Sequence, residues 1–325
     1  MFTLRFDMRA PDWAAPATDL YAAAIDMCAW AETRGAILAV LSEHHGAEDG
    51  HLPTPLILAS AIAAKTKQLA ILLAAVPIPL WDPVRLAEEM TVLDLISRGR
   101  VLYAFGVGHR SEEYEHFGLD ITTRGPVADE MLAVLSRLVR GEPVEYRGRR
   151  VRVTPRCGSA AGPLMMIAGG SKAAARRAAT HGLGFISQTD SPGLRDYYES
   201  QCRAAGHEPG IVQFPVPGAP TAVFVADDVD EAWDLLGPHL VHDAVTAASY
   251  RPHDDSVASI TRADNITALR ESEGPYRILT TDEAADYVCG GRPLPLHPLC
   301  GGIPTDVAWR HLELAVAAAT RAQSE

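Results

Sequence analysis

Positive charge is scarce in this chain of 325 residues: 29 lysines and arginines face 41 aspartates and glutamates, for a formal net charge of −12. Such a surface repels phosphate backbones and anionic lipid. That excludes nucleic-acid or membrane-surface binding as the main role, while leaving room for a locally basic pocket. Cysteine is sparse too. Cys28, Cys157, Cys202, Cys289 and Cys300 are odd in number, and no two have C-x-x-C spacing. That argues against a disulfide framework or a structural zinc site, and for unpaired thiols in a reducing cytoplasm. No apolar run approaches the ~20 residues that span a bilayer. The start, Met1-Phe2-Thr3-Leu4-Arg5-Phe6-Asp7, has neither the basic opening nor the long apolar segment of a signal peptide. The expectation is a soluble, cytoplasmic protein without a metal centre.

What the chain has in quantity is hydrophobic residues, 47% of the total, and they fall in a rhythm. Apolar runs of strand length lie at 3–7, 36–41, 69–76, 101–107, 164–168, 184–187, 221–226 and 294–299. Helical patterns follow them at 18–34, 55–66, 84–96, 126–140, 172–182, 193–205, 230–239 and 305–322. The runs are apolar throughout instead of alternating, as in strands buried on both faces of a parallel sheet. Pro55 and Pro83 open helices, and Gly35, Gly141 and Gly182 close them. Eight such units fit one α/β domain over residues 1–325, a (β/α)8 TIM barrel with insertions. Residues 142–153 alternate with period two around Gly148 and are expected to form a surface hairpin. Residues 241–279 are polar and irregular, and are expected to hold short helices and a loop that covers a pocket.

The most informative polar group follows the second run: Leu41-Ser42-Glu43-His44-His45-Gly46. In a barrel the loops after the strands gather on one face, where reactive groups sit. Histidine titrates near neutral pH. Adjacent side chains of an extended segment point to opposite sides, so His44 and His45 do not readily share one metal. Spacing alone leaves a base, a metal ligand or a packing role open. On the same face are residues 77–82, Gly106-Val107-Gly108-His109-Arg110, Ala168-Gly169-Gly170-Ser171 and Cys300-Gly301-Gly302. Gly169 and Gly170 let a ligand approach the backbone, and the first amides of the following helix point outward toward an anion. Ser171 is equally suited to cap that helix. Gly106-x-Gly108 lacks the spacing and acidic partner of a dinucleotide fingerprint. A G-x-S-x-G nucleophile context is missing, which lowers a hydrolase reading.

Taken in order, several stretches resemble the bacterial luciferase-like flavin-dependent oxidoreductases. They are Leu41-Ser42-Glu43-His44-His45, Asp49-Gly50-His51-Leu52-Pro53-Thr54 and Ala74-Ala75-Val76. Next come Leu93-Asp94-Leu95-Ile96-Ser97-Arg98-Gly99-Arg100, Phe117-Gly118, Gly169-Gly170-Ser171, Gly274-Pro275-Tyr276-Arg277 and His297-Pro298-Leu299-Cys300-Gly301-Gly302. The resemblance implies a luciferase-like TIM barrel, dimeric through its second and third helices. It implies a monooxygenase using reduced FMN (FMNH2), supplied by a separate flavin reductase, with oxygen adding at C4a to give a peroxyflavin that oxidises a small organic substrate. His44 matches a base or stabiliser of that intermediate, supported by His45 and Glu43. Ala74-Ala75 matches a non-prolyl cis peptide under the flavin ring. Gly106, Val107, Gly108, His109 and Ala168 line the implied cofactor site, and Gly169, Gly170, Ser171 and Arg124 match its phosphate contacts. Val107 stands where relatives often carry arginine. That departure implies weaker FMN binding, replacement by Arg110, or the deazaflavin F420 of a sister branch, which transfers hydride without oxygen. The Glu-His-His motif favours FMN. A non-catalytic flavin-binding paralogue is the remaining alternative, and intact His44 counts against it.

Overall fold

The computed structural model describes residues 1–272 and 274–322. Its strands are β1 (Phe2–Phe6), β2 (Ala36–Leu41), β3 (Ala70–Pro77), β4 (Val101–Gly106), β5 (Val144–Tyr146) and β6 (Arg149–Val151). Then come β7 (Leu164–Ala168), β8 (Gly184–Ile186), β9 (Val212–Gln213), β10 (Ala222–Val225), β11 (Tyr276–Leu279) and β12 (Leu294–Leu296). The helices are α1 (Ala17–Glu32), α2 (Pro55–Lys65), α3 (Pro83–Ser97), α4 (Ser111–His116), α5 (Arg124–Leu138) and α6 (Lys172–Thr180). They continue with α7 (Leu194–Ala204), α8 (Val229–Ser249), α9 (Ile266–Glu271), α10 (Thr281–Cys289) and α11 (Thr305–Arg321). The α/β class and the strand–helix alternation read from the sequence are both present.

Contacts divide the chain into two compact units. The first holds Met1–Leu41, Ala47–Pro53 and the chain from Pro215 onward. Its strands run parallel in the order β11-β10-β12-β1-β2. Phe2, Leu4 and Phe6 of β1 are fully buried. Beyond them lies a knot of buried charge. The Arg9 guanidinium meets Asp49 at 2.6 Å, Asp243 at 3.1 Å and Asp7 at 3.4 Å. Ions this far from water persist because each is paired. Burial works to raise the Asp49 carboxyl, but His242 and Arg9 hold it down to about 2.

The second unit comprises Ser42–Gly46 and Thr54–Phe214. Its parallel strands follow the order β3-β4-β7-β8-β9, and β5 and β6 form the expected antiparallel hairpin. Arg100, just before β4, ties this unit together. Its Nε donates to Ser97 O, Nη1 to Thr66 Oγ1 and Leu69 O, and Nη2 to Ala63 O and Thr66 O. One guanidinium thereby gathers the ends of α2 and α3 and the entry to β3.

The segment expected as an irregular cover is more ordered than its composition suggests. Helix α8 does not stop at residue 239. It passes through Pro238 and runs to Ser249, because Leu236, Leu240 and Ala244 continue one buried face. Residues 276–279 are strand β11, paired along its length with β10. Helix α10, also unanticipated, starts with a reciprocal capping box between Thr280 and Glu283. Short α4 and two-residue β9 were likewise outside the sequence expectation, both too brief to carry a period. Residue 273 of the expected cover lies outside the described residues. Replacing Arg100 by lysine should lower the unfolding free energy by about 2–4 kcal/mol, since one ammonium has three donors in place of five and no fork. Urea denaturation checks this, and a loss within about 0.5 kcal/mol of zero, the scatter of neutral surface changes, contradicts it.

Candidate active site

The loop that leaves β2, Ser42–Gly46, carries Glu43, His44 and His45, and all three are engaged. Glu113 of α4 is 1% exposed and serves as the hub. Its Oε1 lies 2.7 Å from His44 Nδ1 and accepts from the His45 backbone N–H at 3.1 Å. Arg110 Nη1 donates to the same oxygen at 3.3 Å and to His45 O at 3.3 Å. Burial works to raise the Glu113 carboxyl. The hydrogen bond and charge of His44, the His45 N–H and the Arg110 cation outweigh that and hold it below its ordinary value. An ionised carboxylate only accepts, so neutral His44 carries its proton on Nδ1 and has an unprotonated Nε2.

Glu43 is a second buried carboxylate, 3% exposed. Its Oε1 accepts from Trp81 Nε1 at 3.0 Å and meets His45 Nε2 at 3.0 Å. Burial raises its carboxyl, against the pull of His45 and Trp81. The two neighbouring histidines therefore use opposite ring nitrogens on two different carboxylates. The His109 ring stands edge-on to His44 with centroids 5.8 Å apart, and Phe117 does the same to His45 at 4.9 Å. The arrangement could hold or pass a proton, with each carboxylate orienting one imidazole.

The peptide bond Ala74–Ala75 in β3 is cis, and the β3–β4 register shifts there. A Cβ on Gly106 would sit 3.5 Å from that of Ala75. Gly108 has φ +68 and packs so closely that a Cβ would be 3.3 Å from the Tyr114 ring. The Tyr114 hydroxyl donates to Val107 O, closing the loop. Gly169 and Gly170 follow β7, which lies next to β4. A Cβ on Gly169 would meet that of Ala174 at 2.8 Å, and one on Gly170 would fall 2.6 Å from Thr189 Oγ1. Ser171 caps α6, accepting from Ala174 N at 3.2 Å. Arg124 opens α5, its Nη1 on Ile121 O, with its charge acting on Tyr114.

Arg110, one of the alternatives raised by Val107, meets Glu113 and His45. Residues 77–82 contribute Trp81 to the Glu43 network. Glu113 itself was missed. The signal was present as an acidic Ser-Glu-Glu-Tyr-Glu-His stretch after the Gly108 loop, but only the fold separates buried Glu113 from its solvated neighbours. Gly170→Ala should destabilise the protein by about 1–3 kcal/mol through overpacking. Part of that loss should return in the Gly170→Ala/Thr189→Ala double variant, measured by denaturation. Additive losses would contradict the close approach.

Three known proteins are similar to this chain. A flavin-dependent trigonelline monooxygenase, oxygenase component, from Acinetobacter baylyi is 31% identical over 131 residues, 40% of this chain and 36% of that protein. The oxygenating constituent of 3,6-diketocamphane monooxygenase from Pseudomonas putida, solved with FMN, aligns over 98% of both chains with a TM-score of 0.72 at 17% identity. An F420-dependent secondary alcohol dehydrogenase aligns over 98% of both chains with a TM-score of 0.67 at 15% identity. At such identities the structural likeness is one of fold. The curated relatives are matched over about a third to a half of their length. The family description "Luciferase-like monooxygenase" matches residues 6–286. With that span covering the greater part of its length, the chain belongs to the luciferase-like monooxygenase family and has its barrel-type α/β fold.

Proposed function

We propose that this chain is the oxygenase of a two-component flavin-dependent monooxygenase, oxidising a small organic molecule with reduced FMN and oxygen. The observation that carries the reading is the Glu113–His44 pair: an imidazole held by a buried carboxylate, with His109 edge-on beside it. The residues present fit a flavin mononucleotide. The amides at the start of α6 with the Ser171 hydroxyl would hold a phosphate. Arg124 would pair with that phosphate, and Ala74, Ala75 and Gly106 would flank the ring. When bound, reduced FMN supplies the electrons for oxygen activation. The chain's own contribution is positional. Glu113 fixes the His44 ring, and His44 Nε2 holds or moves a proton. Glu43 with Trp81 fixes His45, and the burial of both carboxylates keeps bulk water from competing for these bonds.

The word "component" in the trigonelline enzyme's name supports a reductase partner here. A homodimer is supported by exposed Ile57 on α2 and Val92, Leu95 and Ile96 on α3, an apolar surface that a second copy would cover. Five free cysteines favour the cytoplasm, and no helix among the described residues is long and apolar enough to cross a membrane. A second reading, F420-dependent hydride transfer, is favoured by one observation. Val107 is neutral and Arg110 is committed to Glu113, so the phosphate site has fewer cations than an FMN enzyme of the usual pattern. The intact His44–Glu113 pair counts against a non-catalytic paralogue.

Anaerobic titration with FMN, FMNH2 and F420 decides among these. The expected result is tightest binding of FMNH2, with oxygen uptake once substrate is present. Preferential F420 binding, or no binding of any of the three, overturns the reading. His44→Ala should lower turnover by about 10²–10⁴-fold with little change in flavin affinity. Glu113→Gln should lower it less. The acid limb follows from the sign of the Glu113 shift. A depressed carboxyl contributes above its ordinary pKa of 4.5 and loses its contribution as pH falls through the folded value. Wild-type stability should therefore fall below that pH by a step that Glu113→Gln lacks, read by denaturation at a series of pH values. An identical acid limb in the variant contradicts the assignment.

A further inference from the structure

The first unit contains a buried ligand set that the proposed oxygen chemistry does not use. Asp243 lies on α8, His297 directly follows β12, and Cys300 sits in the short turn at 300–302. Their side-chain donor atoms all lie within 4.8 Å of one another. Asp243 is 2% exposed, and His297 and Cys300 are 0% exposed. The Nδ1 of His297 has no hydrogen-bond partner. Its Nε2 pairs with the Asp7 carboxylate at 3.4 Å. A completely buried imidazole nitrogen without a partner is costly, and it asks for a ligand.

The surroundings match the outer partners that metal-binding side chains have. Asp243 Oδ2 accepts from Tyr276 OH at 2.6 Å, and its Oδ1 lies 3.1 Å from Arg9 Nε. Asp7 stands behind His297, the position of the carboxylate that steadies a metal-bound imidazole.

We propose that Asp243, His297 and Cys300 form a binding site for a divalent cation of the zinc type. One thiolate, one imidazole and one carboxylate are the donors that zinc takes, whereas magnesium and calcium prefer oxygen alone. Binding forms metal–sulfur, metal–nitrogen and metal–oxygen bonds and releases the thiol proton to solvent. The site clips the end of β12 and the turn after it onto α8. That turn is already pressed against α8, with Gly301 at φ +56 lying against His239 O where a side chain has no room. Sequence spacing concealed the site. His297-Pro298-Leu299-Cys300 is an H-x-x-C pair rather than C-x-x-C, and its third ligand is remote in the chain.

The test uses the whole chain without flavin. Protein produced in zinc-supplemented medium and gel-filtered is analysed for metal. Chelator-stripped protein is then titrated with cobalt(II). Stoichiometric zinc and a thiolate-to-cobalt absorption band are expected. Cys300→Ser and His297→Asn should each weaken cobalt binding at least about tenfold and abolish the zinc-dependent rise in melting temperature. Cys289→Ser, an exposed thiol, should leave both unchanged. If the two variants fold poorly, the wild-type spectrum decides. Absence of bound metal by both loading routes, cobalt bound without a thiolate band, or undiminished binding in the variants overturns the proposal.

Discussion

The geometry of the candidate active site depends on one carboxylate. Glu113 Oε1 receives the His44 ring, the His45 backbone and the Arg110 guanidinium. Remove that charge and three groups lose their common partner in a place where water does not replace it. The rest is subordinate to this contact. Glu43 and Trp81 orient His45, His109 leans on His44, and the tight glycines at 106 and 108 bring α4, and with it Glu113, up to the histidine loop. A short polar helix that carries little hydrophobic burial of its own thus sets the geometry of the candidate site.

Two buried carboxylates side by side would ordinarily repel and drive one another's pKa upward. Here the cations sort them. Glu113, with Arg110 and His44, is held low, while Glu43, with a neutral indole and His45, is raised by burial. The difference gives the two histidines different environments from adjacent positions in the chain. It also engages the Arg110 charge with Glu113.

Much of the fold was legible because its strands are apolar on both faces and its helices are punctuated by proline and glycine. The starts of α2 and α3 followed from Pro55 and Asp82-Pro83, where Asp82 Oδ1 accepts from Val84 and Arg85 amides. The hairpin followed from alternation around Gly148. What escaped were elements too short or too polar for a period, α4, β9, β11 and α10, and the passage of α8 through Pro238. At the site, residues contributed by loop backbone and by glycine were readable in the sequence. Glu113 and Trp81 were not, because their roles arise from partners far along the chain: 69 residues separate Glu113 from His44, and 38 separate Trp81 from Glu43. The same distance effect hid the Asp243–His297–Cys300 cluster.

The claim that Glu113 fixes His44 is open to direct observation by nitrogen NMR of histidine-labelled protein, which distinguishes the two neutral tautomers. The account predicts that neutral His44 carries its proton on Nδ1 in the wild type and loses that preference in Glu113→Gln. A proton on Nε2 in the wild type, or a tautomer unmoved by the substitution, would contradict it.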